Sequence, residues 1–135
     1  MNGDCLVIKG ELTDLNNYVR IERGNKFAGA NIKQEETNRV WVECKQRQIP
    51  SQKKGVFLVF RRYAKDRRKD KDNVAFAKKF ILDGLVLAKV LKSDGWDFIN
   101  GFLDVFYLDP ENTRVEIDFY DDPDEIRINK LIETR

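Results

Sequence analysis

Asp70 and Asp72 stand one residue apart, directly after the densest cationic run of the chain, Lys65-Asp66-Arg67-Arg68-Lys69, with Lys71 between them. A third acid, Asp94, follows in Leu91-Lys92-Ser93-Asp94-Gly95-Trp96. Carboxylates at the mouth of a basic strip suit divalent-metal hydrolysis of a polyanion, because the cations hold phosphate and the acids hold Mg²⁺. The plainer reading of any D-x-D is a solvated charged loop. Asp72 or Asn73 would also serve as an ordinary helix N-cap, which accounts for one acid and leaves Asp70 over. Histidine is absent. Ser-His-Asp and Cys-His mechanisms and the usual catalytic zinc site are therefore excluded, and any catalysis falls to carboxylates.

The elements that must position these residues fit one domain. The chain has 135 residues, 41% of them hydrophobic and 36% charged, enough to bury a core without a covalent staple. Its net charge of +2 says little, but the distribution is uneven. Residues 45–79 are rich in Lys and Arg, whereas Asp109, Glu111, Glu116, Asp118, Asp121, Asp122, Asp124 and Glu125 make the later part acidic. Cys5 and Cys44 are expected to be free thiols of an intracellular chain. No apolar run reaches the length of a transmembrane span.

Cys5 to Ile8 predicts a first strand, and Thr13 to Tyr18 a turn. An amphipathic helix is expected from about Gly29 to Gln48, with Ile32, Val40, Trp41 and Cys44 on its stripe and Pro50 after its end. The run Val56-Phe57-Leu58-Val59-Phe60 within residues 55–63 predicts a central strand. A helix from Asn73 to about Leu91 follows the basic-acidic loop. Phe102–Leu108 and Arg114–Tyr120 predict a hairpin across the turn chemistry of Asp109-Pro110-Glu111-Asn112. The fold class expected is mixed α/β (α+β), a small sheet of about four strands with two main helices. Residues 1–120 form the domain, and 121–135 an acidic segment that is either a docked short helix or a tail.

Stepping 100° per residue from Asp72 places Phe76, Lys79, Phe80, Asp83, Leu87 and Val90 on one face of the second helix. Lys79 and Asp83 are four apart, so a structural ion pair and a site role for Lys79 both stand. Val74, Ile81 and Leu85 make the opposite side apolar as well, which fits a helix sandwiched in the core or shared with a second subunit. Trp96 reads as a core or interface residue rather than a base-stacking platform.

Together these residues resemble the RusA family of Holliday junction resolvases of phages and prophages. The matching features are Asn17-Tyr18, a basic strand end at Arg61-Arg62, then Asp70, Asp72 and Asn73. Lys79, Asp83, Gly84 and Leu85 follow on a helix, and Asp94 trails it. The ordered match spans roughly residues 13–120. The step from D-x-D-N to the helix lysine is about three residues longer than the family pattern. Lys79 is therefore assigned by its distance to Asp83, with Lys78 the fallback. The family's paired acids after the helix are here Ser93-Asp94, with Asp97 a lesser substitute for Asp94.

The resemblance implies a homodimeric RusA-like fold that cuts four-way DNA junctions with Mg²⁺ or Mn²⁺ in recombination and repair, in the cytoplasm of a bacterial host. Asp70, Asp72 and Asp94 would hold the metal, and Lys79 would orient water or neutralise phosphate. Arg61, Arg62, Lys65, Arg67, Arg68, Lys69, Lys71 and Asn17 would contact DNA. Two rivals remain: a non-catalytic DNA-binding module, and a phage assembly protein whose two-faced helix serves oligomerisation.

Overall fold

A computed structural model describes residues 4–133. The first three residues of the expected domain and the last two of the acidic segment lie outside the described residues. Strand β1 (Cys5–Lys9) is followed by helices α1 (Leu15–Gly24) and α2 (Lys26–Gln46), then strand β2 (Val56–Ala64). Helices α3 (Lys71–Ala75) and α4 (Lys78–Leu87) lead to strands β3 (Ile99–Leu108) and β4 (Arg114–Tyr120). A 3₁₀ turn at Pro123–Glu125 and helix α5 (Ile128–Glu133) close the described chain. The fold is therefore mixed α+β with one four-stranded mixed sheet, as expected from the order of elements. Among the described residues, no helix is long and apolar enough to cross a membrane.

The sheet order is β1-β4-β2-β3. Strand β2 takes an interior place because Val56, Leu58, Val59 and Phe60 are all at most 1% exposed, and a strand covered on both faces must be apolar on both. The expected hairpin of β3 and β4 is not formed. β2 lies between them, parallel to β3 (Phe60 opposite Asp104) and antiparallel to β4 (Phe60 opposite Ile117). A parallel partner for β2 needs a crossover connection, and α3 and α4 supply it. The turn chemistry after β3 instead carries the chain across the end of β2, where Asp109 N–H donates to the Ala64 carbonyl at 2.8 Å.

Residues Thr13–Tyr18 are not a plain turn. The Asp14 carboxylate accepts from Asn17 N–H and starts α1. Asn25 then ends α1 and caps α2, accepting from Phe27 N–H and Ala28 N–H. Along α2 the buried stripe is Gly29, Glu36, Val40 and Cys44, and Trp41 falls outside it, 38% exposed.

The expected single helix over residues 73–91 is two helices. Between them Ala77 N–H reaches the Val74 carbonyl and Lys79 N–H the Phe76 carbonyl, turns of three residues rather than four. The tighter winding resets the helical phase. Leu87, placed by periodicity on the Asp72 face, is 51% exposed, while Phe80, Ile81, Gly84 and Leu85 are buried. Apart from Leu87, both apolar sides of α4 are covered within the chain. Ile81 and Leu85 join a core with Leu6, Ile8, Leu58 and Ile117 of the sheet and with Val40 and Cys44 of α2. Gly84 permits the helix contact, since a β-carbon there would collide with Cβ and Cγ1 of Val40. The two-sided character of the helix thus has an explanation inside one chain. On the other face of the sheet, Tyr107 donates its hydroxyl to the Leu131 carbonyl at 3.0 Å, docking α5 there.

Candidate functional site

The loop from β2 to α3 lines a cleft of about 1030 Å³ whose other walls are Gly10–Leu12, the end of β3, Arg114 and Ile132. Lys65, Arg67, Arg68, Lys69 and Lys71 lie along it, together with Asp70 and Asp72. Asp70 holds the N-cap position of α3, but its side chain makes no cap bond. Asp72 accepts from Asn73 N–H through Oδ1 at 2.9 Å. Both acids are exposed. Capping therefore leaves the Asp70 carboxylate unengaged by any described residue, inside a basic wall.

The cations divide by what they touch. Lys65 and Arg67 are exposed, and Lys71 lies 5.7 Å from the Phe106 ring centroid. Arg68 meets Asp66 only at 3.7 Å, with its side chain 89% exposed. Lys69 is committed to the fold, 2.7 Å from the buried Asp14 and 3.4 Å from Glu11.

Arg61 and Arg62 are likewise committed, on opposite faces of β2. Arg61 grips Asp118 through Nε at 2.7 Å and Nη2 at 3.0 Å, and reaches Glu116 at 3.4 Å. Its hydrogen bonds to Asp118, then the Asp118 and Glu116 charges, raise its pKa against the cost of burial. Arg62 is 4% exposed and bonds Asp104 at 3.1 Å. Burial lowers its pKa, against the opposing pull of Asp104, and its Nη2 has no partner. Neither guanidinium projects freely to meet a DNA backbone, so the expected phosphate contacts at Arg61 and Arg62 are replaced by ion pairs across strands. The reason is alternation: on a two-sided strand, adjacent arginines must each find a carboxylate on a neighbouring strand.

Asp104 is the residue that sequence reasoning missed. It also accepts from Lys78 Nζ at 2.5 Å, and the same ammonium sits 3.8 Å from the Phe102 centroid. One carboxylate thus serves two largely buried cations. The alternation Phe102, Asp104, Phe106 held the clue, because an acid between aromatics on the strand face that meets α4 is drawn to a cation there. Lys78, the fallback for Lys79, is part of this cluster.

Lys79 bridges two acids, Asp83 at 3.2 Å and Asp94 at 3.6 Å. The hydrogen bond to Asp83, and more weakly the Asp94 charge, raises its pKa despite partial desolvation. Asp83 keeps one buried oxygen, Oδ2, without a partner. The expected trio is therefore split: Asp70 and Asp72 border the cleft, and Asp94 stands with Lys79 and Asp83. Among the described residues, no group of three or more His, Cys, Asp or Glu is arranged to hold a metal ion.

Asn17 supports the cleft indirectly. Its amide donates to Asp14 Oδ2 at 2.9 Å, and the neighbouring Asn16 N–H donates to Asn73 Oδ1 at 2.8 Å. Tyr18 packs on Phe76 and Phe80 at centroid distances of 5.4 and 6.0 Å. The D-x-D-N segment is thereby tied to α1. Trp96, expected in a core or interface, is 97% exposed. The cysteines are free and stay protonated at neutral pH: burial, aided by Asp118, pushes the Cys5 thiol up to about 12, and burial pushes Cys44 up to about 11.

Asp14 gives the cleft wall a pH dependence. Burial opposes its ionisation, but Lys69 and the Asn17 N–H outweigh that, and its pKa is lowered. A carboxylate with a depressed folded-state pKa contributes stability above its unfolded pKa and loses it as pH falls through the folded one. Urea unfolding at pH 7 is expected to show Asp14→Asn less stable than the parent by roughly 1–2 kcal/mol. The gap should close as the pH drops below about 4. A gap independent of pH would mean that shape, not charge, is what Asp14 provides.

Compared with known proteins, the chain matches no family model and no curated protein.

Proposed function

We propose that this protein is a divalent-cation-dependent endonuclease that resolves branched DNA, four-way junctions above all, working as a homodimer in the manner of RusA-type resolvases. The observation that carries this reading is Asp70, a carboxylate without a described partner, beside Asp72 in the wall of a basic cleft. Acids placed where a polyanion is drawn in weaken its binding unless they do something else there.

The donor set fits Mg²⁺ or Mn²⁺. Asp70 and Asp72 offer only oxygen, and hard cations of this kind are held by one or two carboxylates with water and substrate phosphate completing the shell. When bound, such a cation polarises a phosphoryl oxygen and makes water nucleophilic at neutral pH. Lys65, Arg67, Arg68 and Lys71 fix the backbone by charge, without reading sequence. Lys79, held between Asp83 and Asp94 outside the cleft lining, retains its proton well above neutral pH and would meet a phosphate oxygen only if bound DNA draws it toward the cleft acids. Paired incisions follow from two such clefts on one dimer, since a four-way junction is itself two-fold symmetric.

A second reading, a DNA-binding module without catalysis, is favoured by the separation of Asp94 from the Asp70–Asp72 pair. A labelled four-way junction and a matched linear duplex, each with Mg²⁺, Mn²⁺ or EDTA, discriminate the two. Paired nicks on the junction that need the cation are the expected result. Affinity should fall with salt at a log–log slope of roughly −7, a little under one unit for each of the eight exposed cations that two clefts bring to one junction. Binding indifferent to cation and without cleavage would leave the module. Absence of binding at low salt would remove both and leave an assembly protein.

A further inference from the structure

A second basic surface lies at the start of β2, at the other end of this strand from the cleft. Two loops are laced together there. Ser51 Oγ donates to the Lys89 carbonyl at 2.6 Å, Gln52 N–H to the Val90 carbonyl at 2.7 Å, and Val56 N–H to the Phe98 carbonyl at 3.0 Å. The fit is close enough that a β-carbon at Gly55 would meet the Asp97 carbonyl at 2.7 Å. The joined loops carry Lys53, Lys54, Lys89 and Lys92, all exposed, and none makes an ion pair with a described residue. Of the nearby acids, Asp94 is held by Lys79, Asp4 accepts from Gln52 and Asp122 caps the turn at Pro123–Glu125, so the four ammonium groups outnumber the two others, Asp97 and Asp121.

From the same loops projects Trp96, 97% exposed. The indole is the largest apolar side chain, and its flank here meets almost nothing but water. The backbone holds it out firmly: Gly95 N–H donates to Ser93 Oγ at 3.2 Å, and Phe98 and Ile99 N–H both return to the Gly95 carbonyl. Lysines without an ion pair to a described residue, on the same joined loops as a presented aromatic plane, suit a nucleic acid strand with an unstacked base. Duplex DNA offers phosphates but no free base face, and an acidic peptide offers charge without a plane to stack.

We propose that these loops form a second nucleic-acid surface, in which Trp96 stacks on an unpaired base while Lys53, Lys54, Lys89 and Lys92 take the flanking phosphates. The surface does not depend on cleavage in the cleft. If the cleft reading also holds, the surface would give preference for DNA whose bases are exposed at a branch point.

The chain has two tryptophans, so Trp41→Phe leaves Trp96 as the sole indole emitter. Titrating that variant with a twenty-nucleotide oligothymidylate should quench its emission in a salt-dependent way. A blunt duplex of the same length and heparin should leave the emission nearly unchanged. Trp96→Ala, at a side chain that packs on nothing, should fold normally and weaken oligothymidylate binding on the order of tenfold. Replacing the four lysines by alanine should weaken it at least as much. An Arg67→Glu, Arg68→Glu variant of the cleft should retain the quenching, which separates this surface from the other. Equal quenching by heparin, or unchanged affinity in Trp96→Ala, would overturn the proposal.

Discussion

Asp72→Asn is expected to lower junction cleavage by roughly three orders of magnitude while leaving junction binding intact or slightly tighter. The side chains have the same shape, and the asparagine oxygen can still accept from Asn73 N–H as Asp72 Oδ1 does, so α3 should start unchanged. What goes is a negative charge. On the proposed reading, a divalent cation would lose one of its two carboxylates, whereas a phosphate backbone in a cleft lined by Lys65, Arg67, Arg68 and Lys71 would gain by the removal. The opposite signs are the diagnostic, read from single-turnover cleavage beside a gel-shift titration. An unchanged rate would place the chemistry elsewhere. The same pair of measurements on Asp94→Asn asks a further question. Asp94 touches Lys79, not the cleft acids, so a comparable loss there would mean that bound DNA draws the two groups together.

Asp104→Ala should cost about 3–5 kcal/mol of folding stability, the range found when one partner of a buried ion pair is removed. Asp104 stands between Arg62 and Lys78, whose side chains are 5% and 14% exposed. Without it two cations share an apolar wall with no carboxylate, and Arg62 already carries one nitrogen without a partner. The rings of Phe60 and Phe102 near Lys78 offset a fraction of this, on the order of 1 kcal/mol. Against a total of roughly 5–15 kcal/mol for a domain, the variant would be marginal. Urea unfolding followed by circular dichroism measures it, with Arg62→Met, Asp104→Leu, Lys78→Met as the companion. The triple variant removes charges and partners together and should recover most of the loss. A loss below about 1 kcal/mol in the single variant would mean that water from the cleft already screens the group.

How far the sequence could be read depended on whether a feature was local. β2 was legible because five consecutive apolar residues between Gly55 and Arg61 admit few other readings. The helices before and after it were legible in outline, but α3 and α4 hid their break. Periodicity assumes constant winding, and the tight turns at Ala77 and Lys79 shift the phase of Lys79, Asp83 and Leu87, which still share one face of α4, relative to Asp72 on α3. Phe102–Leu108 and Arg114–Tyr120 were legible as strands, yet not as partners of β2, because pairing across a sheet leaves no mark in the turn between two strands. At the candidate site, Asp70 and Asp72 were found by charge contrast, which is a property of neighbours in sequence. Asp104 escaped because its partners are 26 and 42 residues away. Arg61 and Arg62 looked like one basic patch because a string of letters does not show that alternate residues of a strand face opposite ways.

The place of β4 in the sheet has a consequence for how the protein is made. β4 is the common neighbour of β1 and β2, with Cys5 opposite Asp118 and Tyr63 opposite Arg114. During synthesis, the apolar face of β1, Leu6 and Ile8, must wait without its strand partner for more than a hundred residues. At about 5–20 residues per second that interval lasts several seconds, long compared with the formation of any helix. Helix α2 is complete early and α4 follows, and Val40, Cys44, Ile81 and Leu85 can cover the apolar face of β1 until the ribosome releases residues 114–120. What stays open until then is the hydrogen-bonding edge of β1, and the last strand of the sheet to emerge is the one that closes it.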